Sequence, residues 1–197
     1  MCRSLSILSY NVSNLKSKLC FSNFFSYINT FDIIFLYETH VTSDNRPIFL
    51  NYFRDFELYW IDAVKIRNAG RASGGCLFAF KKHLISSFSP MFCFEGDNVF
   101  LSVKINLKPV YFIPRYLNCN SWHTDFAAFE SFLTNLCPVS FFILGDLNAR
   151  VALAQNMDDN IFVNIPLLRH ERRSRDNTID PKGKKLLELF NNIGGSF

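Results

Sequence analysis

Long apolar runs are missing from this 197-residue chain: every hydrophobic stretch is broken by a charged or turn-forming residue before it could span a bilayer. Nothing at the start resembles a secretory leader, because the chain enters a short strand at once. An intracellular protein, nuclear or cytoplasmic and neither secreted nor membrane-bound, is expected. The six cysteines, Cys2, Cys20, Cys76, Cys93, Cys119 and Cys137, form no CxxC pair. None of the four histidines, His40, His83, His123 and His170, has a partner at metal-site spacing. That argues against a zinc module and points to reduced cysteines, several of them in the core. Repeats, low-complexity tracts and linkers are absent too, so residues 1–197 are expected to form a single domain. The net charge is only +4, which excludes a polybasic tail.

Apolar residues, by contrast, are plentiful. They make up 49% of the chain, which rules out disorder, and the 23 phenylalanines must mostly line a core. Charge is unevenly spread. Between Arg169 and Lys185, seven basic residues face three acidic ones, a surplus equal to that of the whole chain. A solvated loop and helix face explains such a stretch, and so does a polyanionic partner.

Strands are predicted at about Leu5 to Tyr10, Asp32 to Leu36, Leu58 to Val64, Gly75 to Phe80, Val99 to Ile105, Pro109 to Ile113 and Val139 to Leu144, the last a buried strand. Helices are predicted at roughly Lys16 to Asn29, with Leu19, Asn23, Phe24 and Tyr27 on its inner face, and from Pro47 through Phe53. Two more follow: one from a Thr124 or Asp125 cap to about Leu136, and one at about Lys182 to Asn192. Strands alternating with helices, plus hairpins, give an α/β or mixed α+β sandwich.

Three of these strands end in oxygen-bearing side chains. Leu5 to Tyr10 leads to Asn11, DIIFL leads to Glu38, and the strand after Val139 runs into Gly145, Asp146 and Asn148. Strand ends are where α/β enzymes hold their chemistry. If the strands share a sheet these groups converge, and hard oxygen ligands favour Mg²⁺ or Mn²⁺ over zinc. Taken singly each residue has a plainer reading. Asn11 satisfies a turn, Glu38 is a strand-end carboxylate facing water, Asp146 opens an Asx-turn supported by Asn148, and Ser174 and Asp176 cap or brace a loop.

In order along the chain, SYNV at Ser9 to Val12, LYETH at Leu36 to His40, RASGG at Arg71 to Gly75, FIPR at Phe112 to Arg115 and GDLNAR at Gly145 to Arg150 resemble motifs of the endonuclease/exonuclease/phosphatase superfamily. The resemblance covers essentially the whole chain. It is strongest to the apurinic-type endonuclease domains of non-LTR (LINE-type) retrotransposons, to which Arg172-x-Ser174-x-Asp176 is also similar. It implies a four-layer sandwich of two packed mixed sheets with helices outside. It implies a metal-dependent endonuclease acting on DNA phosphodiesters, association with a reverse transcriptase in a larger polyprotein, and Mg²⁺ (or Mn²⁺) as cofactor. Glu38 would be the metal ligand, with Asn11 beside it. Asp146 would position or deprotonate the attacking water, and Asn148 would donate to a phosphate oxygen or orient Asp146. Arg150, Arg172, Ser174 and Arg175 would contact nucleic-acid phosphates.

Two departures accompany the resemblance. Where the family has Tyr-x-Pro, this chain has Phe112, with Tyr111 one place earlier and so on the opposite strand face. The family's last Asp-bearing strand and Ser-Asp-His motif have no counterpart before Phe197, so the fold is expected to be incomplete at its C-terminus and turnover weak or nil. A non-catalytic remnant that binds nucleic acid, and a phosphatase or exonuclease of the same superfamily, are the alternatives.

Overall fold

The computed structural model describes residues 4–65, 72–96, 98–136, 140–154 and 176–193. It divides into two compact units, Met1–Tyr116 with Cys137–Asp146 and Leu117–Leu136 with Leu147–Phe197.

The first unit is built on two four-stranded sheets. One contains β1 (Ile7–Asn11), β2 (Ile33–Tyr37), β3 (Phe56–Ile61) and β4 (Cys76–Lys81), in the order β1-β2-β4-β3. The other contains β5 (Met91–Glu95), β6 (Asn98–Ile105), β7 (Lys108–Tyr116) and β8 (Ser140–Asp146), in sequence order. Each sheet has one parallel pair, β1 with β2 and β7 with β8, and is otherwise antiparallel.

Strand β2 explains the packing. All five of its residues are buried. Because a strand alternates its faces, Ile33, Phe35 and Tyr37 point one way and Ile34 and Leu36 the other. The first set joins Phe78 and Phe80 of β4 and Leu101, Val103 and Phe112 of the second sheet in one cluster, so the sheets pack face to face. The second set joins Phe25 and Ile28 of α1 (Ser22–Ile28) and Phe49 and Phe53 of the 3-10 segment Ser43–Phe53 in the outer cluster. The expected α+β fold with two packed mixed sheets is what the chain adopts, with α1 and the Ser43–Phe53 segment on the outer face of the first sheet.

Several local expectations change. The helix predicted from Lys16 to Asn29 is a 3-10 turn, Lys16–Cys20, followed by α1. Phe21 between them is extended, at φ −108° and ψ 99°. That break resets the helical phase, so Phe25 and Ile28 are buried while Tyr27, predicted to face inward, is exposed. The strand predicted as buried before Asp146 is an edge strand among the described residues. It has β7 on one side only, and none of its residues is fully buried. It also runs two residues further than expected, so Asp146 is its last residue rather than part of a loop. Of the cysteines, Cys76 is buried, but Cys20 and Cys119 are exposed, and Cys2 and Cys137 lie outside the described residues. A short helix α2 (Ile85–Phe88) and edge strand β5 join the predicted elements.

At the N-terminal ends of β1 and β2, Asp32 accepts hydrogen bonds from the Ser6 amide at 3.0 Å and the Ser6 hydroxyl at 2.8 Å. Burial works against its ionisation, but the Ser6 bonds and the charges of Lys81 and His83 outweigh it and hold the carboxyl below its ordinary value. A carboxylate with a lowered folded pKa adds stability above its unfolded value near 4, and that stability is lost as pH falls through the folded pKa. Asp32→Asn should therefore flatten the acid limb of the stability curve. Urea midpoints at pH 6 and at successive steps below pH 4 will test this; equal acid slopes for variant and wild type would refute it.

The second unit contains α3 (Trp122–Asn135) and α4 (Pro181–Asn192). On α3 the predicted face of Phe126, Phe129, Phe132 and Leu133 is buried, and Asp125 in the first turn accepts from the Ser121 hydroxyl at 2.8 Å. The helix starts at Trp122, two residues before the predicted cap. Helix α4 begins with Pro181, and its N-cap Asp180 accepts from the Gly183 amide at 2.6 Å.

Candidate active site

Both parallel pairs of the first unit end in polar side chains. In the first sheet Asn11 is the partner of Tyr37, immediately before Glu38, and in the second Tyr116 is the partner of Asp146. Three hydrogen bonds link the sheets at this end. The Asn11 amide nitrogen donates to Asp146 Oδ2 at 3.0 Å, across 135 residues of sequence, and the Tyr116 hydroxyl donates to Glu38 Oε1 at 2.7 Å. The buried Tyr37 hydroxyl donates to the Leu144 carbonyl at 2.7 Å. Burial pushes the Tyr37 phenol well above its usual pKa, so it remains a donor. The two strand-end acids are thus brought to one place, each holding a neutral donor from the opposite sheet.

The chain prepares each position locally. Glu38 has φ +52°, in the left-handed region that a residue with a Cβ seldom enters, and such strain costs on the order of 1 kcal/mol or more. Bonds of the two residues that follow hold it there. The Thr39 amide donates to the Gly75 carbonyl at 3.0 Å, the His40 amide to the Gly74 carbonyl at 2.9 Å, and the Leu15 amide to the Thr39 carbonyl at 2.9 Å. Gly74 and Gly75, both at positive φ, belong to the RASGG stretch; its Arg71 lies outside the described residues. A Cβ on Gly75 would approach Thr39 Oγ1 to 2.9 Å, so the turn can come this close only without a side chain.

The other predicted site residues have the following surroundings. Asn148 belongs to the second unit, at φ +46°, and its amide nitrogen donates to the Leu117 carbonyl at 2.8 Å. Its neighbour Leu147 offers its carbonyl to the Trp122 indole at 2.8 Å. Arg150 pairs with Asp176 at 3.4 Å. Asp176 is held below the usual carboxylate range chiefly by the Thr178 amide, with Arg150 adding to the effect. Arg172, Ser174 and Arg175 lie outside the described residues. Phe112 is buried between the sheets and stacks on Phe142, whereas Tyr111, on the other face of β7, packs against Phe100. Neither carries a phenol to Glu38. Tyr116 does, and sequence reasoning missed it. The signal was present: positions 112, 114 and 116 share a face of any strand that continues through Pro114.

The donor set fits a hard divalent cation. Glu38 is half-buried and takes one hydrogen bond on Oε1; among the described residues no second donor engages its carboxylate. Cys76, partner of Tyr37 in β4, is a poor competitor for a metal, because burial first and the Glu38 charge second push its thiol up to about 12. Among the described residues no group of three or more His, Cys, Asp or Glu side chains is assembled. A magnesium site needs only one or two carboxylates, with water completing the octahedron. No helix among the described residues is long and apolar enough to cross a membrane.

No protein-family model and no curated protein matches the chain. Solved structures do. An AP endonuclease from Leishmania major matches with a TM-score of 0.63 at 10% identity, over 96% of this chain and 66% of its own. A 3'-5' exonuclease from Neisseria meningitidis matches at 0.53 and 14% identity, over 95% and 70%. An AP endonuclease from Archaeoglobus fulgidus matches at 0.50 and 17% identity, over 94% and 71%. The chain therefore spans about two-thirds of the length of these proteins. What it has in common with them is the fold.

Proposed function

We propose that residues 1–197 act as one domain that hydrolyses DNA phosphodiesters with Mg²⁺ or Mn²⁺, an endonuclease of the non-LTR retrotransposon kind whose intact protein includes a reverse transcriptase. The observation that carries this reading is the pair of cross-sheet bonds, Asn11 to Asp146 and Tyr116 to Glu38, which bring two carboxylates to the ends of parallel strand pairs. The retrotransposon assignment rests on the RASGG and Arg172-x-Ser174-x-Asp176 resemblances alone.

Glu38 would hold the cation. The ion's charge would serve to neutralise the scissile phosphate and steady the leaving oxygen. Asp146 would orient a water for in-line attack and accept its proton, while the Asn11 amide stops the carboxylate from rotating away. Asn148 would donate to a phosphate oxygen or orient Asp146. Arg150, Arg172, Ser174 and Arg175 would grip the flanking backbone. Arg150 can turn from Asp176 to a phosphate, since their ion pair is solvent-exposed. Slow turnover is expected, because Phe112 offers the phosphate no donor.

Supercoiled plasmid supplies the test. Nicking in Mg²⁺ that disappears in EDTA and with Glu38→Gln is the expected result. Cleavage indifferent to both changes would refute the reading. Plasmid binding in EDTA with no cleavage in Mg²⁺ would favour a nucleic-acid binder without catalysis. Preference for small phosphomonoesters over duplex DNA would favour a phosphatase.

A further inference from the structure

Glutamate reaches a ligand through a terminal torsion that is broad and roughly two-fold, so its backbone alone does not set which way the carboxylate faces. At Glu38 something else must. The Tyr116 hydroxyl, 2.7 Å from Oε1, is the group in position to do so.

Tyr116 is itself firmly rooted. It is the last residue of β7 and lies beside Asp146 as its parallel partner. One residue earlier, the Arg115 peptide lies against Gly145 so closely that a Cβ there would collide with its carbonyl. The Arg115 guanidinium donates to Asn98 Oδ1 of β6 at 2.9 Å, holding this end of β7 from the other side. Below Tyr116 on the same face, Phe112 is locked in the inter-sheet core. The base of the ring is therefore fixed by the strand pair that carries Asp146, and its tip rests on Glu38. A planar ring with one hydroxyl makes a strut of constant length between the two acids.

We propose that Tyr116 is the positioning residue for Glu38, using its hydroxyl to fix the carboxylate so that Oε2 faces the cation and to hold that oxygen at a set separation from Asp146. The proposal rests on the metal-dependent reading above. It concerns how this chain readies its ligand, not which reaction follows. Partners of this kind behind a ligand commonly change metal affinity ten- to a hundredfold.

The test is Mn²⁺ binding to the full chain, followed by the loss of the free-ion electron paramagnetic resonance signal, with far-UV circular dichroism confirming that each variant is folded. Tyr116→Phe should weaken Mn²⁺ binding by about tenfold. In a Glu38→Gln background the same change should have no further effect, because the hydroxyl acts through that carboxylate. Asp32→Asn, at the opposite end of the strands, should leave the affinity unchanged although it alters acid stability, which separates a positioning effect from general loosening. Unchanged affinity in Tyr116→Phe, while Glu38→Gln abolishes binding, would overturn the proposal and leave the metal reading intact. Binding indifferent to Glu38→Gln would overturn both. A drop of equal size with Asp32→Asn would reduce Tyr116 to a structural role.

Discussion

Gly145→Ala should destabilise the fold by about 3 kcal/mol or more, a large share of the roughly 5–15 kcal/mol that holds a domain of this size together. Gly145 lies inside β8 at φ +156°, where the strand pairs with β7, and its parallel partner is Arg115. An added methyl group would drive into the Arg115 carbonyl. That atom is backbone in a paired strand, so it cannot swing aside as a flexible side chain would, and one strand must lift off the other. The loss extends to the flanking residues. Leu144 before it carries the carbonyl that receives the buried Tyr37 hydroxyl, and Asp146 after it receives Asn11. Urea denaturation of the variant, with the slope compared as well as the midpoint, measures the effect. A midpoint within about 1 kcal/mol of wild type would mean that the close approach of β7 and β8 is not as described.

Asp146→Asn should leave the fold almost untouched and reduce plasmid nicking at least about 100-fold. Asparagine matches aspartate in shape, and its amide oxygen can still accept from Asn11. What disappears is the charge, and with it the ability to take a proton from water. Single-turnover nicking at saturating Mg²⁺ isolates the chemical step. Unchanged urea stability together with the rate loss would locate the effect in the chemistry. A variant keeping more than a tenth of wild-type rate would remove Asp146 from its assigned role.

Much of this was legible in advance, for identifiable reasons. β2 and β4 are buried on both faces and read as unbroken apolar runs, which the alternation rule converts directly into two packed layers. Glu38 and Asp146 stood out because each follows an apolar run abruptly, and Asn11 because it ends the mixed run from Leu5 to Tyr10. Tyr116 did not stand out because Pro114 reads as the end of a strand. In the structure the ladder between β6 and β7 stops at Phe112, so the amide that proline lacks is not missed there, and the strand continues beside β8. The phase error in α1 has a similar origin. Nothing in the composition around Phe21 announces an extended residue, and one break displaces the whole inner face. β5 escaped notice because it is short and lies at an edge, with Met91 and Phe94 exposed and no clean alternation.

The left-handed backbone at Glu38 also limits how this position can drift over generations. Glycine, asparagine and aspartate are the replacements that such a conformation tolerates best. Two of them discard the carboxylate, and the third shortens it by one methylene, out of step with the rigid reach of Tyr116. Glutamate here therefore sits against the preference of its own main chain. Asparagine or glycine at 38 would relieve that strain while leaving the two sheets beneath intact.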